Sequence, residues 1–158
     1  MAYVSGMGIP AAGDRPGLAA LFGEHLAALE VTSQRLLAAV SGGPDSVALL
    51  DLLVACRDAL ALDIVVAHVA HGIHPDSGAV AEQVRRLAQD YGLEFMQRSL
   101  ALGPATSETA ARAARHRALE AMRRRARADF IVTAHHADDQ VETVLMRCLL
   151  YTSPSPRD

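Results

Sequence analysis

A chain of 158 residues, 51% hydrophobic and 21% charged, has enough apolar side chain to bury the core of one domain, which excludes a disordered or low-complexity segment. The formal charge of −3 lacks the overall basic excess that marks many nucleic-acid binders, although a local basic patch can coexist with it. No apolar stretch approaches membrane-span length, no charged-then-apolar leader opens the chain, and Cys56 and Cys148 form no CxxC pair, so a reduced, cytoplasmic setting with no membrane partner is expected.

Residues 1–16 are rich in Gly, Pro and Ala and read as a loose lead-in, followed by a short helix over 18–29; together, 1–33 precede the main domain. The apolar run at 35–40 predicts a buried strand, and Val47, Leu50 and Val54 then fall at helical spacing. Ile64-Val65-Val66 centre a second strand over 62–69, and Val80, Val84, Leu87 and Tyr91 share one helical face. A weaker strand over 93–100 leads to a long helix over 107–127 with Ser107 as its N-cap. A strand at 130–132 and a helix from 138 to about 146 complete the series. This alternation predicts an α/β fold, a Rossmann-like parallel sheet with helices on both faces, over 34–147. Right-handed crossovers put the loops that follow the strands on one edge, where such folds bind ligands.

Three motifs follow predicted strands. The first is Ser41-Gly42-Gly43-Pro44-Asp45-Ser46. Two glycines let the backbone turn tightly and approach a ligand, and the helix behind them offers N–H groups and a positive dipole end to phosphate. Asp45 can hold a magnesium ion on that phosphate, and Ser41 and Ser46 can donate hydroxyls. The segment lacks the Gly-Lys-Ser/Thr ending of a Walker loop and the GxGxxG spacing of a dinucleotide fold. As an ordinary turn it would place Asp45 or Ser46 at the helix N-cap. The second is Ala67-His68-Val69-Ala70-His71-Gly72-Ile73, and the third is Ala134-His135-His136-Ala137-Asp138-Asp139-Gln140-Val141-Glu142-Thr143. Between them, Arg112 and Arg115 are three apart and hence neighbours on one helix surface, where a guanidinium can grip two phosphate oxygens. Arg123, Arg124, Arg125 and Arg127 form a basic run at the helix end that suits the helix dipole, with nucleic-acid phosphate as the alternative partner.

The loop resembles the SGGxDS signature of the PP-loop, or N-type ATP pyrophosphatase, superfamily, and its form with Pro44 followed by Val47-Ala48-Leu49-Leu50 is most similar to the tRNA(Ile)-lysidine synthetase family. That family carries a similar AHVNHGLR segment, with Ala70 here for Asn and His74 for Arg, an ARxxRY segment with His116 here for Tyr, and a very similar aHHxDDqxET segment. The resemblance runs from about Gln34 to Arg147. It implies an adenine nucleotide alpha hydrolase-like fold, ATP and Mg2+, and two substrates besides ATP: isoleucine tRNA with a CAU anticodon, and free L-lysine. ATP would adenylate the C2 carbonyl oxygen of the wobble cytidine, and the lysine amine would then displace AMP. By the same resemblance Ser41 to Ser46, His68 and Arg112 bind the nucleotide; Asp45, Arg115, His135 and Asp139 serve catalysis; and Asp45 and Asp139 hold the metal.

Without the resemblance, the five histidines His68, His71, His74, His135 and His136 with Asp138 and Asp139 suggest a metal-dependent hydrolase, and the loop alone suggests a non-catalytic nucleotide-binding module. Within the superfamily a tRNA thiolase is the competing reading, but Cys56 reads as core and no CxxC pair is present. The tail Cys148 to Asp158 departs from the family and resembles the translation of a transposon-end sequencing adapter. The chain is therefore expected to be truncated after Arg147, to carry a functionless tail over 148–158, and to be inactive on tRNA as it stands.

Overall fold

The computed structural model describes residues 17–70, 77–101, 103 and 106–134. The elements run α1 (Leu18–Ala28), β1 (Arg35–Ala39), α2 (Pro44–Cys56), β2 (Asp63–Ala70), α3 (Ser77–Asp90), β3 (Glu94–Ser99), α4 (Glu108–Ala126) and β4 (Phe130–Thr133). Each agrees within two or three residues with the helix or strand expected from the apolar periodicity. The helix predicted over 138–146, residues 1–16 and the tail lie outside the described residues.

All four strands are parallel, in the order β3-β2-β1-β4. From β1 the chain steps outward through β2 to β3, then crosses back to add β4 on the other side of β1. The direction of winding therefore reverses at β1, between β2 and β4.

Strand alternation divides the core into two layers. Leu36, Ala38, Ile64, Val66 and Val132 face one way and pack with Phe22, Leu26, Leu49, Leu50, Leu53 and Val84 from α1, α2 and α3. Leu37, Val65, Ala67, Val69 and Ile131 face the other way, against Ala118, Leu119 and Met122 of α4. Helices thus cover both faces, as alternation in the sequence predicts. Leu50 and Leu53 are fully buried beneath the sheet. Cys56 is buried as well, close enough to α1 that a Cβ added to Gly23 would stand 3.4 Å from the Cys56 Cβ. Burial pushes its thiol pKa up, as suits a core residue rather than a nucleophile.

The N-terminal edge of the sheet is fastened by one residue. Arg35 Nη1 donates to Asp63 at the start of β2 (2.7 Å), and Nη2 donates to Glu94 at the start of β3 (2.7 Å). The Arg35 amide donates to the Asp129 carboxylate (2.8 Å), and the Asp129 amide returns to the Arg35 carbonyl (2.7 Å). Arg35 thereby joins all four strands at the edge away from the loops.

Candidate functional site

The Ser41–Ser46 loop leaves β1 at the sheet's C-terminal edge, at the point where the winding reverses. Open α/β sheets form ligand crevices at such points. Gly42 adopts φ +93, and a Cβ there would lie 2.6 Å from Val80 Cγ1 on α3. Both facts demand glycine at this position. Gly43 is different: its backbone is extended (φ −75, ψ 160), and a Cβ would meet only Ser41 Oγ at 3.6 Å. The fold places no such demand on Gly43.

Gly43 is also the N-cap of α2, with Pro44 in the first turn. The alternative of an ordinary turn capped by Asp45 or Ser46 does not hold, since the cap lies two residues before Asp45 and three before Ser46. Proline explains it, since its fixed φ suits the first helical position and its missing N–H costs nothing there. No side chain caps the helix. Ser46 is buried and donates its hydroxyl proton to the Gly43 carbonyl (2.8 Å). With that proton committed, Ser41 is the donor in the 3.1 Å contact between the two hydroxyls. The Gly43 amide points back at Ser41 Oγ, 3.4 Å away. The two serines therefore hold the loop closed, and Asp45 stands exposed in the first helical turn beside it.

Behind this loop, on the α4 side of the sheet, lies a cleft of about 230 Å³. Its walls include Ser41 and Ser46 from the loop, Ala67 and Val69 from β2, Thr133 from β4 and Arg115 from α4. Residues some seventy positions apart in sequence are brought together, because α4 runs back over the sheet from its C-terminal edge. Its N-terminus is capped by Ser107, whose Oγ accepts from the Ala110 amide at 3.2 Å, as predicted. Arg115 is half-buried at the cleft, whereas Arg112 is exposed and forms no part of the wall. Thr133 escaped the sequence reading; its place at the end of a strand entering a polar motif was the available signal.

His68 stands apart from the cleft. Strand alternation turns it to the opposite face from Ala67 and Val69. There it is 4% exposed, and its Nδ1 donates to the Val40 carbonyl at 2.8 Å. The bond joins β2 to the end of β1, directly before the loop. His71, His74, His135, His136, Asp138 and Asp139 lie outside the described residues.

Two of the four arginines of the basic run are spoken for. Glu120 accepts from Arg123 (2.8 and 3.0 Å) and Arg124 (3.0 Å), and these bonds hold its carboxyl down at about 2. Arg123 also donates to the Ala128 carbonyl beyond the helix C-terminus (2.8 Å). At 1.5 Å per residue, Arg123 to Arg127 sit roughly 12–18 Å along α4 from Arg115, toward the opposite edge of the sheet.

Magnesium takes one or two carboxylates, with substrate phosphate oxygens and water completing its shell. Exposed Asp45 beside the loop fits one such ligand. Among the described residues no group of three or more His, Cys, Asp and Glu side chains could hold a metal ion by itself. No helix among them is long and apolar enough to cross a membrane.

Residues 18–154 match the PP-loop domain family. The chain is 44% identical over 117 residues to the tRNA(Ile)-lysidine synthase of Novosphingobium aromaticivorans, covering 73% of this chain and 35% of that one. It is 40% identical over 134 residues to the enzyme of the same name from Azoarcus, covering 82% and 29%. The chain thus spans about a third of the length of these relatives. Among solved structures, the U34-tRNA thiolase NcsA of Methanococcus maripaludis, which carries a [4Fe-4S] cluster, superposes with a TM-score of 0.58 at 15% identity, covering 66% of this chain and 39% of that one. At that identity the likeness is one of fold.

Proposed function

The chain belongs to the PP-loop domain family, and from that premise we propose that it is the nucleotide-binding part of an enzyme that ligates lysine to the wobble cytidine of isoleucine tRNA. The observation that carries this reading is the cleft shared by Ser41, Ser46 and Arg115. A phosphate-binding loop and a guanidinium face one space there, as adenylation requires. The relatives' names, tRNA(Ile)-lysidine synthase, support isoleucine tRNA as the substrate class; the CAU anticodon and free lysine as the amine are part of the proposal.

In the first step the C2 carbonyl oxygen of the cytidine attacks the α-phosphorus of ATP. An O–P bond forms, the bond to the bridging oxygen breaks, and pyrophosphate leaves. In the second step the lysine amine attacks C2, a C–N bond forms, the C–O bond to AMP breaks, and the amine loses its proton. The loop amides and the α2 dipole hold the phosphates, and Arg115 stabilises charge growing at the α-phosphate. Asp45, with Asp139 outside the described residues, would hold magnesium, which would supply further neutralisation of phosphate charge. Catalysis on this reading is positioning and electrostatics rather than covalent chemistry by the protein.

The product of the complete gene, given ATP, lysine and a tRNA transcript with the CAU anticodon, should release pyrophosphate only when tRNA is present. Mass spectrometry of the digested tRNA should find lysidine. Orthophosphate release would identify a different ATPase, and binding of ATP with no release of either product would reduce the chain to a binding module.

A further inference from the structure

The arginines among the described residues divide into two groups. Arg35, Arg57, Arg85, Arg86, Arg123 and Arg124 each meet a carboxylate. Arg98, Arg112, Arg115, Arg117, Arg125 and Arg127 form no ion pair or side-chain hydrogen bond among the described residues. Five of that second group belong to α4 and its C-cap, a segment with seven arginines and two glutamates in a chain of net charge −3. The sixth, Arg98, comes from β3 and has no helical surface to account for it.

Its position follows from the strand. Phe95 packs with the α1–α3 layer, while Met96 and Leu100 pack with the α4 layer. Alternation therefore sets Arg98 on the α4 face, between Met96 and Leu100. In the parallel register Arg98 is the partner of Val69, and Val69 is a wall of the cleft. Neighbouring strands lie about 4.8 Å apart. Arg98 is thus one strand outside the cleft, exposed, on the edge strand of the sheet. A charge on an edge strand also deters unwanted pairing, but that role fits any position along β3. It does not explain a charge in register with the cleft wall.

We propose that Arg98 is a substrate-positioning residue that binds a phosphate of the RNA strand whose nucleotide enters the cleft. The inference rests on the tRNA reading above. A triphosphate anchored on the loop after β1 carries its charge two strands, roughly 10 Å, from β3. A ligand that meets both the cleft and Arg98 must carry negative charge beyond the nucleotide in the cleft, as a polynucleotide backbone does. Such a contact fixes the register of the strand and reads no base.

The test is equilibrium binding of an isoleucine-tRNA transcript to the complete gene product, by fluorescence anisotropy over a range of salt. Arg98→Ala should weaken binding roughly tenfold and lower the slope of log K against log salt by about 0.7–0.9, the value of one phosphate contact. It should leave ATP affinity and melting temperature unchanged. Arg98→Lys should keep the slope, and Arg86→Ala on α3 should match the parent. The KM for tRNA should rise in Arg98→Ala while kcat holds. Tight parental RNA binding that Arg98→Ala does not alter overturns the assignment and spares the tRNA reading. A loss of ATP affinity instead would move Arg98 into the nucleotide site and overturn it too. A parent that binds ATP but no RNA overturns both.

Discussion

Gly42 and Gly43 are indistinguishable as letters, yet they have different physical reasons. Gly42 is needed by the fold, because its φ is +93 and Val80 leaves no room for a Cβ. Gly42→Ala should therefore cost about 1–3 kcal/mol of stability, read by urea or thermal unfolding. Adding Val80→Ala should recover the part due to the clash and leave the part due to positive φ. Gly43 has an extended backbone and space around its Cα. Gly43→Val should cost only about 1 kcal/mol, from a poorer N-cap, yet abolish ATP binding by calorimetric titration if backbone approach to phosphate is its purpose. Unchanged ATP affinity would remove the loop from the site. The sequence did not separate these residues, because the difference depends on Val80, thirty-eight positions away. His68 was hidden for the same reason: its partner is the carbonyl of Val40 on a neighbouring strand.

At the scale of elements, α4 was legible almost to the residue, from the Ser107 cap to the C-terminal arginines. Caps and periodicity are local, so sequence carries them. The ordinary-turn alternative, with Asp45 or Ser46 as the cap of α2, fails because Gly43 is the cap and proline fills the start of the helix. The basic run required tertiary information: Glu120 claims two of its arginines, and Arg123 reaches Ala128. This cluster predicts a pH effect. Folding lowers the Glu120 pKa from 4.5 to about 2, so its contribution is present above the unfolded value. It is lost as pH falls through the folded one. Glu120→Gln should melt below the parent at pH 7, and the gap should close between about pH 5 and pH 2. A gap independent of pH would mean that packing, not charge, holds the helix end.

For the molecule as a whole, the alternation of elements revealed the parallel sheet but not its strand order, which depends on contacts between distant segments. Within α4, the turn of the helix decides which arginine lines the cleft. Arg115 faces the cleft and Arg112 does not. Arg115→Ala should therefore lower ATP-dependent adenylation by roughly 10–100-fold, the loss of a charged hydrogen bond, and Arg112→Ala should have a smaller effect on nucleotide binding. Equal losses in titrations of the two variants would place the nucleotide elsewhere. The Arg35 clamp has a consequence in time. Its last partner, Asp129, is 94 residues further along the chain, and ribosomes add about 5–20 residues per second. One flank of β1 thus stays open for roughly 5–20 s of translation, a window in which a nascent chain offers its central strand to any passing strand. Stalling the ribosome before Phe130 should leave a chain that seeks such pairing and precipitates; releasing it a few residues later should let β4 close the gap.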